Sequence, residues 1–234
     1  MVKFTKQNSS SSKENRMKKN IIAIVVAMSF AFLSCILLGC TEELPADEIM
    51  NETIEFGHYN QRPIQWYVLD KDTTNHRTFL VTKDVLDEKP YNYISSETVM
   101  TWDMSTIRSW LNGYDASQNK MGIDYSSDNF ISSAFTSDEQ ARIATIQVIN
   151  NPQNGEPNTV DKVFFLSIDE VKTFLGSSKG VCAKLNCTIE WWLRTQGNND
   201  AHDAAFVKSN GRLDSDGTWV NSDMGIRPAL WLND

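Results

Sequence analysis

Cysteine and histidine are scarce in this 234-residue chain, with four of the first and three of the second. Cys35 lies inside an apolar segment and Cys40 just beyond it, which leaves Cys182 and Cys187 for the rest. One C-x4-C pair falls short of the four ligands that structural zinc normally takes. In an exported chain the pair can close a small loop as a disulfide, and two free thiols are the alternative. His58, His76 and His202 each lack a nucleophile motif nearby, and no G-x-S-x-G, P-loop or dinucleotide glycine pattern occurs. Positive charge is also short. Residues 1–39 hold six basic residues (Lys3, Lys6, Lys13, Arg16, Lys18 and Lys19) against Glu14 alone, so the remainder carries 16 basic and 29 acidic residues, a formal charge of −13. Phosphate backbones repel such a body, which excludes nucleic acid as a partner and disfavours docking of the folded part on anionic lipid. No internal repeat is visible. Carboxylates are plentiful, but abundance in an acidic chain does not mark a glycosidase pair.

What is present begins with the leader. The stretch Ile21–Gly39 has no charge and follows a basic segment ending in Arg16, Lys18 and Lys19, the order expected of an export signal. It closes on Leu37-Leu38-Gly39-Cys40, which resembles the bacterial lipobox: small Gly39 admits a signal peptidase, and the Cys40 thiol takes the lipid. An uncleaved anchor is the alternative, because the apolar run is nearly long enough to span a bilayer. Either way the body is expected on the extracytoplasmic face of the cell membrane. The expected division is a signal peptide at 1–39, a tether at 40–51 and a single domain at 52–234.

The body, at 41% hydrophobic, has a globular composition. Alternation over Thr53–Tyr59, Ile64–Asp70 and Arg77–Lys83 predicts an antiparallel meander. Ile107, Trp110 and Leu111 fall at helical spacing before Gly113. Thr136 with Glu139, and Ser167 with Glu170, predict helix starts by reciprocal capping. Strands are expected from Thr145 and from Asp161, with a loop over Asn150–Asn158 between them. Strands return with Trp191 onward, then Ala204–Ser209 and Arg212–Gly217 around a two-residue Asn210-Gly211 turn. Gly225–Leu232 reads as one strand carrying Pro228, with a position left unpaired on one side. The fold class is α+β, strands at both ends and helices between.

Five ordered motifs carry a resemblance: Pro63-Ile64-x-Trp66-x-Val68-Leu69; Ile107-Arg108-x-Trp110-Leu111-Asn112; Asp161-Lys162-Val163-Phe164-Phe165-Leu166-Ser167; Trp191-Trp192-Leu193-Arg194; and Gly225-Ile226-Arg227-Pro228-Ala229-Leu230. Together they resemble a bacterial domain family of unknown function, whose members look like exported or anchored proteins. A late tryptophan strand, a glycine hairpin and a closing Gly-x-Arg strand are also similar to the C-type-lectin-like fold, shared by formylglycine-generating enzymes. That likeness implies a compact sheet drawing the first and last strands together, with loops hung from it.

Trp191 and Trp192 are neighbours on a strand, so their side chains face opposite ways and cannot both serve one platform. One is expected in the core and the other under a loop or helix. Arg194 and Arg227 are expected to fix loop ends by pairing with carboxylates or carbonyls. Asp200, His202, Asp203, Asp214, Asp216 and Asp223 are expected on neighbouring loops as a ligand-binding surface, and such oxygen-rich loops can hold calcium, although no cofactor is required. The tripeptide Glu156-Pro157-Asn158 coincides with a sugar-binding motif of animal lectins but lacks its framework. The expected function is non-catalytic binding or display by a lipid-anchored lipoprotein, its partner an extracellular protein or glycan. The likeness to formylglycine-generating enzymes implies an alternative, a copper-dependent thiol oxidoreductase using Cys182 and Cys187, although in those enzymes the pair follows the tryptophan strand. A structural module of the envelope is a third possibility.

Overall fold

The computed structural model describes residues 52–93, 99–150, 156–176, 181, 185 and 188–234. The leader, the tether, Gly39, Cys40, Cys182 and Cys187 lie outside them. Three strands open the fold: β1 (Thr53–Tyr59), β2 (Arg62–Asp72) and β3 (Arg77–Thr82). Asn60 and Gln61, both at positive φ, make the two-residue turn between β1 and β2. Ile64, Trp66 and Val68 alternate inward on β2 and are buried, and the Trp66 indole donates 2.7 Å to the Phe56 carbonyl. β1 bulges between Glu55 and His58, where Gly57 sits at φ 74°. After the short β4 (Asp87–Lys89) come the helices α1 (Thr106–Asn112), α2 (Phe130–Ala134) and α3 (Ser137–Arg142). Ser105 caps α1 by accepting the Arg108 amide, and Thr136 and Glu139 form the expected reciprocal cap on α3.

The remaining elements are β5 (Ile146–Val148), β6 (Thr159–Asp161), β7 (Val163–Phe164), α4 (Ile168–Glu170), β8 (Trp191–Gln196), β9 (Asp203–Val207), β10 (Leu213–Trp219), β11 (Met224–Ile226) and β12 (Ala229–Asn233). The Ser167–Glu170 cap is present, but past α4 the chain widens into a π turn over Val171–Leu175, closed by the Gly176 amide on the Val171 carbonyl. Two five-stranded sheets result, ordered β1-β2-β3-β12-β7 and β10-β9-β8-β11-β4, together with a β5-β6 ribbon. All pairings are antiparallel except β8 with β11. The protein is thus α+β and mostly strand, and β12 lies against β3 of the opening meander.

Three local expectations are corrected. The strand read from Asp161 is two: β6 pairs with β5, and after Lys162 β7 pairs with β12. The run Gly225–Leu232 is also two strands. It breaks at Arg227-Pro228, because a residue without an amide donor cannot continue a ladder, and the chain passes there from one sheet to the other. The hairpin between β9 and β10 has a three-residue loop, Ser209-Asn210-Gly211. The Gly211 amide closes on the Lys208 carbonyl, and Gly211 takes φ 78°, a conformation that side chains resist.

Among the described residues no helix is long and apolar enough to cross a membrane. The core is heavily aromatic. Phe56, Trp66, Phe130 and Phe135 cluster where α2 meets β1 and β2, and Phe79 stacks between Phe164 and Trp231 at 5.9 and 4.9 Å.

Candidate functional site

Both Trp191 and Trp192 are fully buried. The Trp192 indole donates to the Lys89 carbonyl at 2.9 Å and meets Tyr91 edge-on at 5.7 Å. Trp191 lies under the Arg227 guanidinium, 5.5 Å from its ring centre. Neither indole offers a stacking surface to a ligand.

Arg194 and Arg227 both donate to backbone carbonyls. Arg194 forks onto the Glu170 carboxylate and also donates to the carbonyls of Phe165 (2.8 Å) and Ile149 (3.0 Å) and to Asn150 Oδ1 (3.1 Å). Arg227 donates to the carbonyls of Thr82 (2.8 Å), Lys83 (2.5 Å) and Leu185 (2.6 Å). Glu156 and Asn158 join the same framework. Glu156 accepts the Gln196 amide at 3.2 Å, and Asn158 Oδ1 accepts the Asn150 amide at 3.0 Å.

The acidic residues expected on loops are placed differently. Asp203 opens β9, and Asp214 and Asp216 belong to β10, an edge strand that bulges between Asp214 and Thr218. The loop before β9 folds back on that bulge, the amides of Asn198 and Asn199 donating to the carbonyls of Ser215 (2.9 Å) and Asp216 (3.1 Å). Asp200 accepts from the His202 amide at 2.9 Å and from its Nδ1 at 2.6 Å, and these bonds hold its pKa below the usual carboxylate range. Asp214 is lowered chiefly by the Lys208 ammonium, 2.5 Å away. Asp203 is buried, and desolvation followed by the charge of Asp200 pushes its pKa up. Its Oδ1 has no hydrogen-bond partner among the described residues. Asp223 is exposed on the turn between β10 and β11. Among the described residues no three or more of His, Cys, Asp and Glu gather where they could hold a metal ion. The Asp, Asn and Gly residues here build turns and a bulge.

A concavity that the sequence did not announce lies beside α1. It is an open groove of about 980 Å3, lined by Met104, Arg108, Tyr114, Ser117, Lys120 and Val160 among others. Arg108, on its lining, forms a buried ion pair with Asp161, 2.8 Å from Nε to Oδ1. Asp161 is wholly buried and accepts three more donors: the Trp102 indole at 3.0 Å, the Thr159 hydroxyl at 2.6 Å and the Tyr114 hydroxyl at 3.1 Å. Desolvation, then the Asp161 charge, pushes the Tyr114 pKa well above the ordinary phenol value. Asn112 completes the junction, its Oδ1 accepting the amides of Lys162 and Val163, both at 3.0 Å. Two of the five sequence motifs therefore dock on each other here, and two others meet where Arg227 covers Trp191. Arg108 was passed over because it stands among apolar helix positions. The signal that could have found it is that same placement, a charge beside Ile107 and Leu111 that demands a buried partner.

No solved structure and no curated protein matches the chain. The profile of one family does, that of the domain of unknown function DUF6273, over residues 75–234. That span takes in four of the five motifs, from Ile107 to Leu230, and all of the groove; the chain belongs to the DUF6273 family.

Proposed function

We propose that this protein is a membrane-tethered lipoprotein facing away from the cytoplasm, whose C-type-lectin-like domain binds an extracellular protein or glycan without chemistry. The observation that carries the binding reading is the groove beside α1, open to solvent yet lined by side chains locked in place. Preformed concavity with a few oriented polar groups is what binding sites share. The buried charges Asp161 and Arg194 are engaged by framework partners. The lectin-like reading draws on the strand β12 laid against the opening meander. Tethering rests on the uncharged run Ile21–Gly39 and the Gly39-Cys40 junction.

Two measurements test it. Cells fed an alkyne-bearing fatty acid should label the protein, and Cys40→Ala should abolish both the label and membrane retention. A Cys40→Ala protein that still fractionates with the membrane would indicate an uncleaved anchor. A panel of wall glycans and surface proteins should contain a partner whose binding is lost on filling the groove. If nothing binds above background, the structural module becomes the better reading. The thiol oxidoreductase reading depends on Cys182 and Cys187 and is decided by thiol titration: two free thiols that take up copper support it, and a stable disulfide without copper uptake ends it.

A further inference from the structure

The groove has a charged group on its lining that the framework leaves partly unspent. Arg108 is 7% exposed, yet only two of its guanidinium nitrogens are tied. Nε donates to Asp161 and Nη1 to the Asp103 carbonyl at 3.1 Å, while Nη2 has no hydrogen-bond partner among the described residues. The side chain lines the groove and stacks on the Tyr114 ring at 4.9 Å. Tyr114 is itself fixed, donating 2.9 Å to the Val160 carbonyl and 3.1 Å to Asp161. A guanidinium held this way aims its remaining donors in one direction with little further ordering on binding.

The surroundings select what it meets. Asp161 offsets much of the Arg108 charge, which suits a singly charged acceptor better than a polyanion. Lys120 adds a cation on the lining. The lining also holds two carboxylates, each with its Oδ1 engaged locally, that of Asp115 by the Ser117 amide and hydroxyl and that of Asp103 by the Thr101 hydroxyl. One wall is β6, whose strand partner among the described residues is β5; on its other side the Val160 carbonyl takes the Tyr114 hydroxyl, and Val160, which lines the groove, is 57% exposed. A strand edge of this kind accepts an extended peptide.

We propose that the groove binds an extended peptide by its carboxylate, with Arg108 Nη2 and Lys120 holding the carboxylate and β6 lying along the peptide backbone. This rests on the groove being the ligand site. The test uses the full chain in detergent, isotope-labelled for NMR and titrated with N-acetyl-tetra-alanine, its C-terminal amide and glucuronate. The free acid should shift the Arg108 side-chain and Val160 amide signals, and should bind at least about tenfold more tightly than the amide. Arg108→Lys, which keeps a cation against Asp161, should weaken the free acid by about the same factor. Ser117→Trp fills the groove from an exposed position without touching Asp161. It should abolish binding, and it answers the question if Arg108→Lys fails to fold. Equal binding of acid and amide, or saturation by glucuronate alone, overturns the peptide-carboxylate assignment and leaves the groove as a ligand site. No saturable shift at Arg108, Tyr114 or Val160 with any probe overturns both.

Discussion

Replacing Asp161 by alanine would take an acceptor from four donors at once: the indole of Trp102, the guanidinium of Arg108 and the hydroxyls of Thr159 and Tyr114, the last keeping the Val160 carbonyl. Leaving Arg108 buried without its counter-charge dominates the cost, and Asp161→Ala should lose about 3–5 kcal/mol, read from the denaturant midpoint. Asp161→Asn keeps the shape and part of the hydrogen bonding, so it should lose less. Asp203 points the other way. Its folded-state pKa is raised by desolvation and by Asp200, so the fold prefers its neutral form. The stability this contributes is full below the unfolded carboxylate pKa and is lost as pH rises through the folded value. Asp203→Asn should therefore flatten the decline across that window and be the more stable protein at neutral pH, checked by thermal unfolding across pH. A greater loss at neutral than at acid pH would refute this. Arg194 and Arg227 could be picked out in the sequence as arginines standing in an acidic chain. The pairing of Arg108 could not be, because its partner lies 53 residues away and no local pattern encodes that meeting.

Among elements, capping chemistry was the most legible part of the fold. Thr136 with Glu139 and Ser167 with Glu170 start helices as their spacing requires, because each cap is satisfied within one turn. Strand breaks were less legible, since they depend on which sheet receives each half. Lys162 and Arg227-Pro228 are places where one apolar run serves two sheets or ribbons. Asp214 and Asp216 fall in the strand read over Arg212–Gly217 and not on ligand-binding loops, because a bulged edge strand shares the residues that turns prefer. The β1 bulge provides a measurable case. A Cβ on Gly57 would lie 2.5 Å from the Phe135 ring and 2.8 Å from the Ala134 carbonyl, and its φ is 74°. Backbone conformation alone costs an alanine there about 1–2 kcal/mol, and the clash adds to it. Gly57→Ala should exceed that cost in equilibrium unfolding; a smaller loss would mean that α2 yields.

At the scale of the molecule, the aromatic core and the α+β class followed from composition and pattern. The groove did not, because it is formed by α1, the segment after it and β6, which are distant in the chain. The proposed lipid attachment is the reverse case, since it rests on the sequence at Gly39-Cys40 alone. The order β3-β12-β7 makes a further prediction. Deleting 229–233 removes an interior strand, so the truncated chain should lose its cooperative unfolding transition in near-ultraviolet circular dichroism. A sharp transition surviving the deletion would show that the two flanking strands can close on each other.

The placement of β12 also bears on timing. Until residue 233 has been polymerised, the first sheet has a gap one strand wide between β3 and β7, and the halves flanking it cannot shut. A nascent chain of this design cannot complete that sheet before residues 229–233 are free to pair.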